Sequence, residues 1–228
     1  MKSPTVLLLL AASSALAQGT FQNLDFESAN AAGLTNFFVA FKDAFPSWIG
    51  YIGTNQASLA GYNFISAGGA VITLITPSAL DARTAASVID GNYTATIPAG
   101  QTSPFGIIVP GALGQTGVIP LGVKSLRFSA SGNVDYLSVT FGGVNLAFLA
   151  TGTGSNYRTY AGDISALAGM SGELRFTEQA ASFEPVVILD DIEFSPVAIP
   201  EPGVLAFFAL GTLLSTWRIL RVAHHQLL

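Results

Sequence analysis

Carboxylates are the side chains in this sequence whose chemistry a site could use. The 228-residue chain contains no cysteine, and its two histidines, His224 and His225, stand near the C-terminal end. A Ser-His-Asp or Cys-His catalytic set needs one of these residue types, and so does a zinc site. What remains is an acid pair of the glycosidase kind, with carboxyl groups roughly 5 to 9.5 Å apart across a cleft. The sequence singles out no such pair, and we therefore expect a protein that is not an enzyme.

Two acidic motifs stand at opposite ends of the central region of the chain. An Asn-Leu-Asp-Phe-Glu motif contains Asp25 and Glu27, and a Leu-Asp-Asp-Ile-Glu-Phe motif contains Asp190 and Asp191. This pairing resembles the first and last strands of galactose-binding-like jelly rolls, the fold of many carbohydrate-binding modules. In that family the two segments lie side by side. The resemblance therefore implies a jelly roll whose chain ends meet.

The same resemblance implies a structural Ca²⁺ ion held by Glu27 and Asp191, with Asp25 and Asp190 as neighbours. Calcium takes about six to eight oxygen ligands, and carboxylates from two adjacent strands can supply part of that shell. Successive residues of a strand point to opposite faces, so at most one of the two adjacent aspartates can join Glu27 directly. In the alternative interpretation these acids face solvent on a sheet edge, where they discourage pairing between sheets.

An aromatic stretch follows the first acidic motif. Its members are Phe37, Phe38, Phe41, Phe45, Trp48 and Tyr51. The apolar faces of sugars lie against exposed aromatic rings, and Trp48 and Tyr51 each add a polar group to the ring. We therefore predict Trp48 and Tyr51 as sugar-binding residues. The alternative is that the stretch belongs to the hydrophobic core, where most phenylalanines are found.

Short runs rich in β-branched and aromatic residues, separated by glycines, predict an all-β domain, an antiparallel β-sandwich. We expect its first strand at 20–27 and its last strand at 186–194. The strand-like runs on either side of Gly142 and Gly143 predict a β-hairpin with a primed turn. Asp163 is expected to cap a short helical turn between strands.

The two ends of the chain look different from this domain. Residues 1–17 contain Lys2, an apolar run and a small-residue cleavage site, which is typical of a secretory signal peptide.

The remaining domain, 18–198, has thirteen acidic and six basic residues, a formal charge of −7. An acidic domain without a basic run argues against a nucleic-acid partner.

A charge-free run of 15 residues, 203–217, precedes Arg218 and Arg221. As a helix it would span about 22 Å, against a hydrocarbon core of about 30 Å. If Arg218 snorkels, a transmembrane helix over about 203–222 can cross a thin bilayer. The alternative is a buried C-terminal helix of a soluble domain, for which an apolar run of this length is normal.

Pro200, Glu201 and Pro202 stand directly before this apolar run, and Arg218 and Arg221 follow it. This order at 199–228 resembles the PEP-CTERM sorting signal of exopolysaccharide-producing Gram-negative bacteria. The resemblance implies recognition and cleavage by an exosortase, a membrane transpeptidase. It also implies export across the inner membrane, temporary anchoring by the C-terminal helix, and a final location at the cell surface or outside the cell.

These features together predict an exported, non-enzymatic β-sandwich that has an exopolysaccharide as its partner. Two alternatives remain open at this point. One is an inert surface or matrix protein without a ligand. The other is a glycan hydrolase that uses a carboxylate pair.

Overall fold

The computed structural model of the chain describes residues 20–66, 68–102 and 106–199. Within these ranges the strands form two large sheets and one small sheet. The eight-stranded sheet has the spatial order β1 (Phe38–Ala40), β4 (Leu59–Tyr62), β5 (Thr73–Ile75), β6 (Thr94–Pro98), β16 (Val186–Ser195), β10 (Ser125–Gly132), β14 (Arg158–Asp163) and β13 (Leu149–Thr153). The six-stranded sheet has the order β12 (Val144–Asn145), β11 (Leu137–Phe141), β15 (Ser171–Glu178), β9 (Gly111–Val118), β2 (Ile49–Ile52) and β3 (Asn55–Gln56).

The third sheet pairs β7 (Gly100–Gln101) with β8 (Ile108–Val109). Neighbouring strands run antiparallel, apart from β4 and β5, which are parallel. The helices of the described residues are short: α1 (Phe41–Ala44), α2 (Ala82–Ala86) and 3-10 turns at Ala31–Gly33, Val134–Tyr136 and Ser165–Leu167.

The core lies between the two large sheets. Alternate residues of β15 and β11 point into it, as Leu174, Phe176 and Val139 do, while their neighbours stay half-exposed. On the facing sheet, Leu126 and Phe128 of β10 belong to the same hydrophobic cluster. This alternation is what one buried face of each antiparallel sheet requires. The predicted all-β, antiparallel sandwich is therefore confirmed.

Two local predictions are confirmed as well. Phe141 pairs with Val144 across a two-residue turn, and Gly142 and Gly143 both have positive φ, at 56° and 81°. Positive φ at both positions is what a type I′ hairpin turn requires, and glycine adopts it without a steric cost. Asp163 accepts the expected hydrogen bond from the backbone N–H of Ser165 (2.8 Å), the first residue of the 3-10 turn, although Ile164 stands at the N-cap position.

The prediction of a first strand at 20–27 is wrong. This segment forms turns, with φ of 52° at Asn23 and 57° at Phe26. It is held by Gln115 of β9, whose amide donates to the carbonyl of Gln22 (2.9 Å) and accepts from its N–H (2.6 Å). One buried glutamine thus replaces a strand partner for this part of the backbone.

Several predictions lie outside the described residues: the signal peptide at 1–17, the Pro-Glu-Pro motif and the membrane helix over about 203–222. Among the residues that are described, no helix combines the length and apolar character needed to cross a membrane.

Candidate functional site

The first acidic motif lies beside the last strand, as the sequence resemblance implies. The backbone N–H of Ile192 in β16 donates to the carbonyl of Leu24 (3.0 Å). The contact occurs where β16 is irregular, because Ser129 of β10 pairs with Asp190 whereas Arg127 pairs with Glu193. One extra residue of β16 is therefore inserted opposite β10, which is a β-bulge.

The bulge places Asp191 within electrostatic range of three other carboxylates. Asp191 has a positive φ of 50° and is half-buried. Burial raises the pKa of Asp191, and so do the negative charges of Asp90, Asp25 and Glu27, while the Ser129 hydroxyl opposes the rise. We call Asp25, Glu27, Asp90 and Asp191 the acidic cluster. Asp90 was not predicted, because it is remote in sequence from both motifs.

Glu27 already has partners of its own. Its carboxylate accepts hydrogen bonds from the backbone N–H groups of Asn92 (2.7 Å) and Tyr93 (2.9 Å). The Asn92 side-chain amide donates to the other carboxylate oxygen (2.9 Å). Gly91 stands so close that a Cβ atom there would collide with this carboxylate. Glu27 thus anchors the turn that carries Asp90 to the N-terminal segment.

Asp190 belongs to the interior and not to the acidic cluster. It is 1% exposed, accepts from the Thr94 hydroxyl (2.6 Å), and accepts from the backbone N–H of Asp191 (2.8 Å). Burial raises the pKa of Asp190 to about 8, although these two hydrogen bonds act in the opposite direction. Asp190 is therefore mostly a neutral acid at pH 7. In residues 20–66, 68–102 and 106–199, no three acidic or histidine side chains stand close enough to hold a metal ion.

The prediction that Trp48 binds sugar is wrong, because its ring is in the core. Trp48 is 5% exposed, and its indole N–H donates to the carbonyl of Asn23 (2.8 Å). Its ring packs against Phe26 and Phe176, at centroid distances of 5.6 and 6.5 Å. Phe45 is buried too, as the core interpretation of this stretch expects.

Tyr51 lies on the outer face of the six-stranded sheet. Its hydroxyl donates to Glu173 (3.1 Å), which also pairs with Arg175 (3.0 Å). The guanidinium carbon of Arg175 lies 4.0 Å from the centre of the Tyr51 ring. A cation in this position covers one face of the ring. The sugar-binding role of Tyr51 remains a prediction, restricted to the face that Arg175 leaves open.

The exposed members of the aromatic stretch are Phe37 and Phe38, at 63% and 55% exposure. Both meet Phe64 edge to face, at centroid distances of 6.2 and 5.6 Å. Beside them is a groove of about 300 Å³ that includes Asn36, Phe37, Tyr62, Asn63, Ser78 and Leu80 in its lining. We call it the aromatic groove. It lies at the β1 edge of the eight-stranded sheet.

A second concavity, of about 400 Å³, lies at the opposite edge of that sheet. It is bounded by the end of β10, the 3-10 turn at Val134–Tyr136 and the loop between β13 and β14. Its lining includes Asp135, Thr153, Asn156, Tyr157, Arg158 and Tyr160. We call it the polar cleft. Sequence analysis did not predict this cleft, since its lining comes from two separate segments, 130–135 and 153–160.

Glu178 is a buried acid outside both concavities. It is 0% exposed, and neither carboxyl oxygen has a hydrogen-bond partner in the described part of the chain. Burial raises the pKa of Glu178 to about 8. Glu178 is on the face of β15 that points into the core, as Leu174 and Phe176 are. Asp190, in contrast, accepts a hydrogen bond from Thr94 on the outer side of the eight-stranded sheet. These two acids therefore do not face each other across one cleft.

Comparisons with known proteins give one distant likeness. No protein-family model matches the sequence, and no curated protein matches it. A solved structure of the carbohydrate-binding module TmCBM61 in complex with beta-1,4-galactotriose matches with 12% identity and a TM-score of 0.36. The match covers 76% of this chain and 95% of that one. A TM-score this low does not establish a shared fold, and the galactotriose is a ligand of that module alone.

Proposed function

We propose that the chain is an exported, non-catalytic glycan-binding protein of the cell envelope or extracellular matrix. The signal peptide at 1–17 and the sorting signal at 199–228 support export and anchoring. The membrane partner is an exosortase-type transpeptidase that cuts near Pro200-Glu201-Pro202, and the extracellular partner is an exopolysaccharide. The ectodomain is a jelly roll, which the contact between the N-terminal acidic motif and β16 supports.

The aromatic groove is the observation that carries this proposal. Phe37 is 63% exposed, and the lining of the same groove includes Asn36, Tyr62 and Ser78, whose side chains carry an amide and two hydroxyl groups. Binding sites combine apolar walls, which supply affinity, with a few polar groups, which fix orientation. A sugar ring matches both features, because it has an apolar face and hydroxyl groups around its edge.

The charge of the groove and of the domain favours a neutral glycan. The residues that line the aromatic groove include no ionised side chain. The domain at 18–198 has a formal charge of −7, so a polyanionic chain would be repelled at long range. A neutral polysaccharide is not repelled by the negative charge of the domain, and it needs no charged partner in the groove.

Glycan binding can be tested with the full chain in a detergent that has no sugar head group. We expect binding on an array of neutral oligosaccharides of glucose, galactose, mannose and xylose, and not of uronic acids. Phe37→Ala should weaken binding in the aromatic groove about tenfold or more, the equivalent of ~1.4 kcal/mol. Leu121→Ala removes an exposed apolar side chain outside the groove and should change nothing.

The outcomes of this experiment separate the alternatives. Absence of binding to every glycan would favour an inert surface protein. Wild-type affinity of Phe37→Ala would remove the groove as the site. Hydrolysis of a bound oligosaccharide would favour the carboxylate-based hydrolase.

Sorting can be tested by mass spectrometry of the mature protein in a strain with an active exosortase. We expect the C-terminus to be processed near Pro200-Glu201-Pro202. Deletion of 203–228 should give an exported protein that is neither retained in the membrane nor processed. An intact Leu228 in the mature wild-type protein would contradict exosortase cleavage.

We also propose that the acidic cluster binds calcium. Its donors are all oxygens, which suits this ion. Burial raises the pKa of Asp191, and repulsion from Asp90, Asp25 and Glu27 adds to the rise. Asp25, Asp90 and Asp191 would hold the ion, and Glu27 would keep the Asp90 turn in place. Asp190 is excluded as a ligand by its burial and its bond to Thr94. Binding would require the exposed carboxylates to turn towards one another.

Thermal melting with EDTA and with millimolar calcium tests this site. Binding to the native state alone adds about 2.7 kcal/mol of stability at a hundredfold excess over Kd. Asp191→Asn should abolish the calcium-dependent shift, whereas Asp135→Asn, outside the cluster, should keep it. Identical melting curves under both conditions would contradict the calcium site and would support the alternative, in which these acids face solvent at a sheet edge.

A further inference from the structure

The aromatic groove and the polar cleft lie at opposite edges of the same eight-stranded sheet. Phe37 immediately precedes β1 at one edge, and Arg158 and Tyr160 belong to β14 near the other. Neighbouring strands are about 4.8 Å apart, so the six steps from β1 to β14 place the two concavities roughly 30 Å apart. A ligand in one therefore does not obstruct the other.

The polar cleft has a fixed wall. The side-chain amide of Asn156 donates to the carbonyls of Ala86 and Val88, both at 2.8 Å, which ties the β13–β14 loop to the segment after α2. Tyr157 packs against a small hydrophobic cluster of Ile75, Ile89 and Ile188 on the outer side of the eight-stranded sheet. A Cβ atom at Gly154 would collide with the Tyr157 ring, so glycine is needed for this packing.

Tyr160, another aromatic residue of the lining, is also held by its neighbours. Tyr160 stacks on Phe128, with ring centroids 5.4 Å apart and planes at 16°, and meets Phe148 edge to face at 5.8 Å. Two aromatic residues anchored in this way keep their positions when a ligand enters. Such pre-organisation reduces the entropy that binding costs.

The polar groups of the cleft suit the hydroxyl groups of a neutral sugar. The Asp135 carboxylate accepts hydrogen bonds, and the Arg158 guanidinium donates from a planar fork. Both side chains are exposed, and Arg158 has no carboxylate partner among the described residues. Ser131 and Thr153 add hydroxyl groups to the same lining. One anion and one cation together leave the cleft without a strong preference for a charged ligand.

We propose that the polar cleft is a second glycan site, and that the domain cross-links two neutral polysaccharide chains through its two sheet edges. The inference rests on the proposed function, because it needs the aromatic groove to bind the first chain. It goes further by giving the domain a mechanical role in a matrix. A domain with one site can only coat a polysaccharide, whereas two separated sites can join two chains.

Titration with short oligosaccharides tests the second site. The full chain, in the same sugar-free detergent, is titrated with trisaccharides of galactose, mannose and xylose by calorimetry. The trisaccharide that binds should show two sites per protein. Phe37→Ala and Arg158→Gln should each leave one site, with the affinity of the lost site reduced about tenfold or more. Lys124→Gln removes an exposed cation at the other end of β10 and should keep both sites.

Cross-linking is measured by light scattering of soluble galactan, glucomannan and xyloglucan mixed with the protein. The wild type should aggregate the polysaccharide whose trisaccharide it binds. Phe37→Ala and Arg158→Gln should abolish aggregation while each still co-sediments with that polymer. Lys124→Gln and Leu121→Ala should aggregate it as the wild type does.

Failure of this inference is distinguishable from failure of the proposed function. If the wild type has one binding site, and that site is lost in Phe37→Ala but intact in Arg158→Gln, the proposal of a second site is wrong. The proposal that the aromatic groove binds glycan would then remain. Two sites without aggregation would mean that one chain spans both concavities, and would overturn cross-linking. Absence of any binding would overturn the proposed function itself.

Discussion

Asp190 and Glu178 are both buried acids whose pKa is raised to about 8, yet their surroundings differ. Asp190 accepts hydrogen bonds from the Thr94 hydroxyl and the Asp191 N–H. Glu178 has no partner for either oxygen in the described part of the chain. A buried polar group that is paired holds its neighbours in place, while an unpaired one mainly costs desolvation energy. We therefore expect Asp190 to support the fold and Glu178 to weaken it.

The largest expected effect is a loss of stability as the pH rises, to which both acids contribute. In the unfolded chain a carboxyl group loses its proton near pH 4, whereas in the folded protein these two keep theirs until about pH 8. The folded state binds more protons within this window, so stability falls as the pH rises through it and is constant above it. Each acid accounts for several kcal/mol across this window, because one pKa unit corresponds to about 1.4 kcal/mol.

Urea unfolding at intervals from about pH 4 to about pH 9 measures this dependence. Glu178→Gln removes one titrating group and should make the curve less steep. Glu184→Gln, at a side chain that is not buried, is the control and should keep the wild-type slope. A stability that rises between about pH 5 and pH 8 would contradict the assignment of both acids.

The second effect is the loss of the Asp190 network. Asp190→Ala leaves the Thr94 hydroxyl without its acceptor and removes the side-chain bond to Asp191 next to the bulge. We expect a loss of about 2 to 3 kcal/mol at pH 5, measured by urea unfolding. Asp190→Asn retains an acceptor for the Asp191 N–H and should lose less. Equal stability of Asp190→Ala and the wild type would show that the network does not support the fold.

The third effect has the opposite sign. Glu178→Met replaces an unpaired carboxyl group with an apolar side chain of similar length, and we expect a gain of about 1 to 2 kcal/mol at pH 7. The gain should shrink at pH 5, because protonating the Glu178 carboxyl group on folding then costs little free energy. Thermal melting at both pH values measures it. A lower melting temperature at pH 7 would mean that Glu178 has a stabilising partner.

The smallest effect comes from removing one hydrogen-bond partner of Asp190, which makes its surroundings more like those of Glu178. Thr94→Val keeps the shape of the side chain and removes the hydroxyl group that Asp190 bonds to and that accepts from the N–H of Ile89. We expect a loss of about 1 kcal/mol at pH 5. The pKa of Asp190 should rise, because the Thr94 bond lowers it in the wild type. Titration of the Asp190 carboxyl carbon by NMR measures that rise; an unchanged pKa would contradict the role of the bond.

Features that depend on a few adjacent residues were predictable from the sequence. The Gly142-Gly143 turn and the Asp163 cap follow from backbone conformations that only certain residues favour. The sandwich class follows from alternation along the strands, because each sheet must bury one face. The meeting of the N-terminal motif with β16 was also predicted, although as paired strands.

Features that depend on residues far apart in sequence were decided by the tertiary structure. The sequence favoured Trp48 over Phe37 for a surface role, but Trp48 is buried in the core and Phe37 is exposed. A bulge in β16 brings Asp191 near Asp90. Hydrogen bonds between Gln115 and the backbone of Gln22 hold the segment where a strand was predicted. The sequence by itself determined the tight turn at Gly142-Gly143 and the alternation along the strands, since these depend on neighbouring residues. Only the tertiary structure decided which side chains meet or face water, because that depends on how the two sheets pack.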